Sequence, residues 1–205
     1  MALTLSLRPP TVAAPSARPR LDEAGWLAGA KRRASANCDA RPAGTQVSLI
    51  VVHGISLPPG EFGGDGVERL FTNRLDPRAH PYYAGIAGLR VSAHFFVRRA
   101  GGVMQFVPCA MRAWHAGTSA WRGRERCNDY SIGIELEGTD TRPYTARQYH
   151  RLARLVRALQ RHYPIAHVAG HSDVAPGRKS DPGAAFEWRR LRTLLGLTVP
   201  ARGRR

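Results

Sequence analysis

Two histidines and an aspartate are the strongest candidates for metal ligands. His53 follows a run of β-branched residues, whereas His171 and Asp181 are ten residues apart in the segment GHSDVAPGRKSDPG. A catalytic zinc ion commonly has three nitrogen or carboxylate ligands from the protein and keeps a further position open for water. Two imidazoles and one carboxylate meet this requirement. A histidine and an aspartate at this spacing also occur together by chance, so the residues alone are compatible with a zinc site but do not establish one.

The sequence around His53 and further along the chain predicts a β-sheet. Residues 47–52 form a β-branched run between glycines and predict a buried strand that delivers His53 at its carboxyl end. Residues 91–97 and 103–107 flank a glycine-containing loop and predict a β-hairpin. Alternation of apolar and polar residues in SIGIELEG predicts a half-buried strand whose polar face carries Glu135 and Glu137.

Helices are predicted on both sides of these strands. Apolar residues at helical spacing predict a helix over residues 145–163, and Thr145 with Gln148 supplies a capping box. The segment LDEAGWLAGAKRR, residues 21–33, predicts a short helix with acidic residues first and basic residues last, although two glycines weaken it. The remaining expectations are an irregular stretch over 108–130, a strand near 166–169, a loop over 170–183 and a helix near 186–195. This mixture predicts one α/β or α+β domain with a helix-covered sheet.

The composition limits the classes of partner. The chain of 205 residues carries a net charge of +16, but its arginines are scattered and adjoin no nucleic-acid-binding motif. We therefore expect no nucleic-acid partner, and a basic surface that favours small anionic substrates. No apolar run approaches the roughly 20 residues that a membrane-spanning helix requires. Cys38, Cys109 and Cys127 are widely spaced and predict reduced thiols rather than disulfides.

The two ends of the chain have a different composition from its middle. Residues 1–20 are rich in proline, alanine and arginine and predict a flexible extension, and residues 198–205 form a basic tail. The start of the chain has an apolar character but meets Arg8 and two prolines before a full signal-peptide core could form. We accordingly expect a cytoplasmic protein with one folded domain over residues 21–197, by default a monomer.

Several long segments, in one order, give the chain a family resemblance. It resembles the AmpD-type 1,6-anhydro-N-acetylmuramyl-L-alanine amidases over about residues 21–195. The similar segments are VVHGISLPPGEFGG, HPYYAGIAGLRVSAHF, RAWHAGTS, GRERCNDYSIGIELEGTD and GHSDVAPGRKSDPG. The resemblance implies the type-2 amidase fold, shared with phage lysozyme-like amidases and peptidoglycan recognition proteins, in which helices flank a central mixed sheet. It also implies Zn²⁺ held by His53, His171 and Asp181.

The same resemblance implies Glu135 as the catalytic carboxylate and Lys179 as the catalytic lysine. A glutamate within reach of a water molecule can accept its proton and pass it to the departing nitrogen. Lys179 stands two residues before Asp181, so an extended loop would direct both side chains the same way and place the ammonium beside the developing oxyanion. Each could instead be an ordinary solvated side chain. Glu137, on the same face as Glu135, is expected to have a structural role.

A muropeptide substrate offers both carboxylates and an apolar sugar face. By resemblance, Arg90 and Arg126 are placed to pair with carboxylates of the peptide stem. Tyr82 and Trp114 are candidates for the walls of the cleft, although either could be a core residue. His115 is expected near the metal ligands or the substrate, and His94 in a supporting position.

The sequence departs from the most familiar family pattern at Gly54, where an asparagine often follows the first zinc histidine. Three functions remain open at this point. The chain could be a cytoplasmic enzyme that removes the peptide from 1,6-anhydro-muropeptides during peptidoglycan recycling. It could be an exported amidase that acts on intact peptidoglycan, or a binding protein without activity. The first is favoured: a binding protein would be expected to lack one of the ligands or the Glu135 and Lys179 pair, and all five are present. An exported amidase would be expected to show an export signal or a wall-binding module, and neither is visible in the sequence.

Overall fold

The computed structural model describes residues 20–197. The predicted extension and basic tail lie outside the described residues, apart from Arg20. Ten strands are present in this range: β1 (Lys31–Arg32), β2 (Cys38–Ala40), β3 (Leu49–Ile55), β4 (Phe95–Val97), β5 (Val103–Gln105), β6 (Met111–Ala113), β7 (Ala120–Trp121), β8 (Arg124–Glu125), β9 (Ser131–Glu137) and β10 (His167–Gly170). The helices are α1 (Gly66–Phe71), α2 (Pro81–Ala84), α3 (Cys127–Tyr130), α4 (Ala146–Gln160), α5 (His171–Val174) and α6 (Trp188–Leu194).

Six of the strands form one mixed sheet in the order β1-β5-β4-β9-β3-β10. Strands β4, β9, β3 and β10 are parallel to one another, and β5 pairs antiparallel with β4 in the hairpin. His53 on β3 lies directly opposite Glu135 on β9 in the parallel register. The carboxyl ends of three adjacent parallel strands therefore meet at one edge, which is where open α/β sheets commonly bind ligands.

The two faces of the sheet bury different sets of side chains. Ile132, Ile134 and Leu136 of β9 belong to a core that also contains the apolar face of α4. Because side chains alternate along a strand, Glu135 and Glu137 point to the opposite face. That face is covered by α1 with its neighbours and by the segment that precedes β9, which supply the residues of two smaller apolar clusters. The structure is thus a helix-flanked mixed sheet, as predicted.

Helix α4 and the β4–β5 hairpin confirm two of the local predictions. The Thr145 hydroxyl accepts a hydrogen bond from the Gln148 backbone, and the Gln148 side chain accepts one from the Thr145 backbone, which is the predicted capping box. The Gln148 amide also donates to the backbone carbonyls of Val97 and Glu137. The start of α4 is therefore fixed to the ends of two central strands.

The helix predicted over residues 21–33 is wrong. Leu21 and Leu27 instead form an isolated antiparallel bridge, and Lys31–Arg32 joins the sheet edge as β1. Gly25 has φ +87° and Gly29 has φ +78°, a backbone conformation that no α-helix contains. At Gly25 a Cβ atom would stand 2.6 Å from the Cys109 backbone nitrogen, so close tertiary packing overrides the weak local helix preference.

Three further predictions need correction. The strand at 131–137 is buried along its whole length rather than half-buried, because other segments cover its polar face. The stretch at 108–130 is not irregular throughout, since it contains β6, the β7–β8 hairpin and α3. The predicted loop at 170–183 begins with the helical turn α5. Among the described residues, no helix is long and apolar enough to cross a membrane.

Candidate active site

Three polar side chains converge at the carboxyl ends of β3 and β10. His53 lies within β3, His171 is the first residue of α5 directly after β10, and Asp181 follows on the loop that leads away. The two histidines are buried and Asp181 is largely so. Strands β3 and β10 are parallel neighbours, so their ends hold the two imidazoles at a fixed separation. The predicted ligand set is therefore brought together in space.

The donor atoms of this set form a small triangle. His53 Nδ1 is 2.9 Å from His171 Nδ1, and Asp181 Oδ2 is 3.3 Å from the first nitrogen and 3.1 Å from the second. Tetrahedral ligands at roughly 2.0–2.1 Å from a zinc ion are separated by about 3.3 Å. Three lone-pair atoms this close repel one another unless a cation or shared protons lie between them. The residues present therefore fit a zinc ion in both donor type and spacing.

The outer nitrogen of each histidine has a partner of its own. His171 Nε2 lies 3.2 Å from the Ala116 carbonyl, to which an imidazole N–H can donate. His53 Nε2 lies 3.0 Å from His115 Nδ1, and His115 Nε2 lies 3.2 Å from the Ser131 hydroxyl. That hydroxyl donates to the Cys127 carbonyl. Protons assigned along these contacts leave both Nδ1 atoms free to bind a metal, as outer hydrogen bonds to ligating histidines commonly do.

The surroundings of the site favour a neutral imidazole at His53 and an ionised carboxylate at Asp181. Burial lowers the pKa of His53 to about 4. Burial also lowers the pKa of His115, and the neighbouring His53 adds to the effect. Burial by itself raises the pKa of Asp181, but its close contacts with His171 and His53 outweigh it and hold that pKa well below its ordinary range. Neutral imidazole and ionised carboxylate are the forms that bind metal ions.

Glu135 stands beside this triangle with an unusual environment for a buried carboxylate. Its side chain lines the same cleft, and Oε2 is fully buried without a hydrogen-bond partner among the described residues. Burial raises the pKa of Glu135 well above its ordinary value, the Asp181 carboxylate raises it further, and Lys179 opposes the shift. A carboxyl group whose pKa is raised binds a proton more readily, which suits a group that accepts a proton and then returns it.

Lys179 approaches the site from the loop after α5. Its backbone nitrogen donates to the Ala175 carbonyl, and its side chain is exposed and lines the cleft together with Asp181. The positive charge is close enough to act on the pKa of both His53 and Glu135. Lys179 therefore lines the same cleft as the triangle, and its catalytic role stays a prediction.

The cleft that contains these groups has a volume of about 540 Å³, a typical size for a small-molecule site. One wall is apolar and includes Leu57, Ile86 and Leu89, whereas the floor carries the histidines and carboxylates. A neighbouring cavity of about 710 Å³ shares Arg178 with the cleft and is also lined by Arg126. The combination of an apolar wall and a polar floor suits a ligand with an apolar ring and a hydrolysable polar bond.

Comparisons with known proteins agree with this arrangement. A family model described as N-acetylmuramoyl-L-alanine amidase matches residues 43–184. The 1,6-anhydro-N-acetylmuramyl-L-alanine amidase AmpD of Citrobacter freundii is 58% identical over 177 residues, which cover 85% of this chain and 94% of the relative. This chain belongs to the N-acetylmuramoyl-L-alanine amidase family.

Solved structures of N-acetylmuramoyl-L-alanine amidases share its fold. The crystal structure of a Se-Met derivative of AmpD has a TM-score of 0.83 and 58% identity, and the match covers 87% of this chain and 99% of that one. The Escherichia coli amidase AmiD, solved with anhydro-N-acetylmuramic acid-L-Ala-D-gamma-Glu-L-Lys, has a TM-score of 0.55 and 29% identity, with 87% and 66% coverage.

The predicted substrate contacts of this amidase occupy different positions around the cleft. Tyr82 and His115 line it directly. Arg90 is exposed between two cleft-lining residues, and Arg126 lines the neighbouring cavity, where it pairs with Asp129 at 3.0 Å. Trp114 is half-buried next to His115, and its indole nitrogen donates to Asp39. His94 is fully buried and accepts a hydrogen bond from the Gly133 backbone. The roles of these residues in binding stay predictions.

Sequence reasoning missed three residues of this amidase site. Arg178 lines the cleft and donates to the Ala116 and Thr118 carbonyls, so it orders the segment that His171 contacts. Arg178 is adjacent to Lys179 within GHSDVAPGRKSDPG, so the sequence did offer a signal for it. Ser131 completes the contact chain from His53, and Tyr144 reaches the loop of Asp181. For Ser131 and Tyr144 the sequence offers no signal, because only the fold brings them near.

Proposed function

We propose that this chain hydrolyses the amide bond between the lactyl group of 1,6-anhydro-N-acetylmuramic acid and L-alanine in muropeptides, as a zinc-dependent enzyme of peptidoglycan recycling. The observation that carries the proposal is the triangle of His53, His171 and Asp181 in one cleft with Glu135, whose Oε2 has no hydrogen-bond partner in the described part of the chain. The substrate named for the relatives and bound in the AmiD structure supports the choice of bond.

The metal site would be formed by His53 Nδ1, His171 Nδ1 and Asp181 Oδ2. A zinc ion bound there supplies Lewis acidity, which polarises a scissile carbonyl and acidifies water. The chain itself contributes the preorganised ligand triangle and the outer hydrogen bonds at Ala116 and His115 that orient the imidazoles. Because the two histidines sit at the ends of paired strands, little rearrangement is needed on binding.

Glu135 carries the proton transfer in this proposal. Its carboxylate accepts a proton from the attacking water and returns it to the alanine nitrogen as the amide bond breaks. An amine leaves far more readily once it is protonated, so the return step is required for an amide. The unpartnered Oε2 supports this role, since no other described group competes for it.

Lys179 stabilises the negative charge that develops on the carbonyl oxygen. The compact ammonium is mobile at the edge of the cleft and opposes the negative charge of the transition state. Arg90 and Arg126 are proposed to pair with carboxylates of the peptide stem, Tyr82 and Trp114 to contact the anhydro sugar and its lactyl–alanine junction, and His115 to contact the substrate. The basic surface favours the approach of such an anionic substrate.

The test compares two substrates in the presence and absence of a chelator. Purified protein is mixed with a soluble 1,6-anhydro-muropeptide and, separately, with intact peptidoglycan sacculi, and free stem peptide is measured. We expect release from the soluble compound, loss of release with the chelator, and recovery when zinc is returned. Release from sacculi but not from the soluble compound would overturn the recycling function in favour of an amidase of intact wall. Activity that persists in the presence of the chelator would show that the reaction needs no metal ion.

A further inference from the structure

A tyrosine ring fills a slot between two glycines at the active-site edge of the sheet. Gly54 directly follows His53 on β3, and Gly138 directly follows the end of β9. A Cβ atom at Gly54 would stand 2.2 Å from the hydroxyl oxygen of Tyr144, and one at Gly138 would stand 2.3 Å from the same ring. Real Cβ atoms do not approach other atoms this closely, so Tyr144 can occupy its position only because both residues lack a side chain.

The hydroxyl of Tyr144 makes a specific contact at the bottom of this slot. It donates a hydrogen bond of 2.9 Å to the backbone carbonyl of Pro182, the residue after Asp181. The ring is 3% exposed and packs edge-on against Phe186. Burial raises the pKa of the Tyr144 hydroxyl, and the nearby Glu135 adds to the shift, so the group remains a neutral donor.

Hydrogen bonds from several segments hold the loop that carries Asp181, and the Gly183 backbone donates one of them to the Ser180 carbonyl. Lys179 and Ser180 belong to no helix or strand, and Asp181 begins a turn. The Asp181 carboxylate receives a long contact of 3.4 Å from the Gly54 backbone nitrogen, and its backbone carbonyl accepts a hydrogen bond from Ser172. The Tyr144 hydroxyl fixes the next peptide unit, which limits rotation of the Asp181 backbone.

We propose that Tyr144 is a positioning residue for the metal ligand Asp181, and that in this chain Gly54 leaves the space that the Tyr144 hydroxyl occupies. The inference rests on the metal site proposed above. Tyr144 touches neither substrate nor metal in this account. It acts through the Pro182 carbonyl, by holding the Asp181 carboxylate at its distance from the two imidazoles.

The first experiment measures zinc affinity in Tyr144→Phe by competition with a chelating indicator dye. This change removes the hydroxyl and keeps the ring. Loss of a supporting hydrogen bond at a metal site typically weakens metal binding by about 10–100-fold, and we expect an effect near the lower value because Tyr144 acts through the backbone.

Tyr149→Phe is a matched control for this variant. Tyr149 is fully buried, contacts the same Phe186 ring, and accepts a hydrogen bond from the Glu187 backbone, which is remote from the ligands in the chain. Both variants should lower the melting temperature of the metal-free protein. Only Tyr144→Phe should weaken zinc binding, which separates positioning from general stability.

The second experiment tests the slot itself through the pair Gly54→Ala and Tyr144→Phe. A Cβ at position 54 is 2.2 Å from the Tyr144 hydroxyl oxygen but 3.5 Å from the ring carbon that bears it. Alanine should therefore be strongly destabilising beside tyrosine and tolerated beside phenylalanine. We expect the drop in the metal-free melting temperature caused by Gly54→Ala to be at least halved in the Tyr144→Phe background, since contacting residues are not additive.

Two outcomes would overturn the inference while the proposed function stands. One is unchanged zinc affinity in Tyr144→Phe while the unaltered protein binds zinc. The other is an equal loss of melting temperature from Gly54→Ala in both backgrounds. A protein that binds no zinc before any substitution would instead remove the metal site on which the inference rests.

Discussion

The surroundings of Glu135 differ from those of Glu137, although both lie on β9, point to the same face and are buried, with 8% and 4% of their surface exposed. Glu137 accepts hydrogen bonds on one oxygen from the Gly63 backbone and Arg98, and on the other from the Arg99 backbone. Glu135 leaves Oε2 without a partner among the described residues and faces the cleft. In this fold Glu137 is paired with Arg98, whereas Glu135 faces the proposed reaction centre.

This difference shows how position along one strand separates structure from chemistry. A buried carboxylate is destabilising unless it is paired and hydrogen-bonded, and Glu137 meets both conditions. Glu135 meets neither, so its burial lowers stability and raises its pKa instead. Buried groups left in this state are enriched at functional sites. Substitutions at the two positions should accordingly affect different properties.

The largest effect is expected from Glu135→Gln on turnover. The amide keeps the size of the side chain but cannot carry a proton from water to the leaving nitrogen, so the rate should fall by about 10²–10⁴-fold. Zinc binding, measured by dye competition, should be retained. Glu137→Gln serves as the comparison and should keep its rate per folded molecule. Equal rate losses at both positions would contradict the distinction between them.

Lys179→Met tests whether Lys179, on the loop side of the cleft, contributes as much to the rate as Glu135 does. Removal of one group that stabilises an oxyanion typically costs about 10²–10³-fold in rate. We expect a loss in this range with zinc affinity preserved, because Lys179 is not in the ligand triangle. Lys31→Met is the control, since Lys31 is an exposed lysine that pairs with Glu68 at 3.6 Å. A near-normal rate in Lys179→Met would remove this residue from the mechanism.

Glu137→Gln should act mainly on stability. Glutamine replaces one carboxylate oxygen with an NH₂ group, which would face the N–H donors that Glu137 now accepts from. Arg98 also loses its carboxylate partner. Loss of one member of a buried pair typically lowers the free energy of unfolding by about 3 kcal/mol or more, which denaturant unfolding can measure. Exposed Glu23→Gln should change it by less than about 0.5 kcal/mol. If Glu137→Gln also changes the free energy of unfolding by less than about 0.5 kcal/mol, the Arg98 contact is dispensable for stability.

The smallest effect concerns the pH dependence of stability in the metal-free protein. Because the folded-state pKa of Glu135 is raised, its contribution to stability is fully present below the unfolded pKa, about 4.3, and is lost as pH rises through the folded pKa. Glu135→Gln lacks this loss. Its melting temperature relative to the unaltered protein should therefore increase between pH 4 and pH 8, in the presence of a chelator.

The pH prediction is checked by thermal melts across this range, with Glu23→Gln reporting the effect of removing one exposed negative charge. A difference between Glu135→Gln and the unaltered protein that stays constant with pH would contradict it. The same melts on Glu137→Gln sharpen the contrast between the two carboxylates.

Much of the fold could be predicted from the sequence where one strong local pattern decided the element. The capping box at Thr145 and the apolar periodicity gave α4 correctly, and the two segments that flank the glycine-containing loop Arg98–Gly102 gave the hairpin. The segment over residues 21–33 failed because its helix signal was weak and two glycines there adopt positive φ in contact with distant residues. Over residues 21–33, tertiary packing outweighs the local preference for a helix.

The site could be predicted in part for a similar reason. The identities of His53, His171, Asp181, Glu135 and Lys179 came from long segments that match a family in order, and the fold brings all five to one cleft. Their environments could not be predicted. The alternation along β9 predicts that Glu135 and Glu137 lie on the same face. It does not predict which of the two pairs with Arg98.

The sequence by itself determined the residue types at the site, the family and the pattern of strands and helices, because these depend on local order along the chain. Only the tertiary structure decided that the ligand atoms of His53, His171 and Asp181 lie within 3.3 Å of one another. It alone decided that Glu135 Oε2 has no hydrogen-bond partner among residues 20–197 while Glu137 has three, and that Tyr144 fits against Gly54. The physical reason is that burial, pairing and close approach arise from contacts between segments far apart in sequence, and these contacts exist only after the sheet has formed.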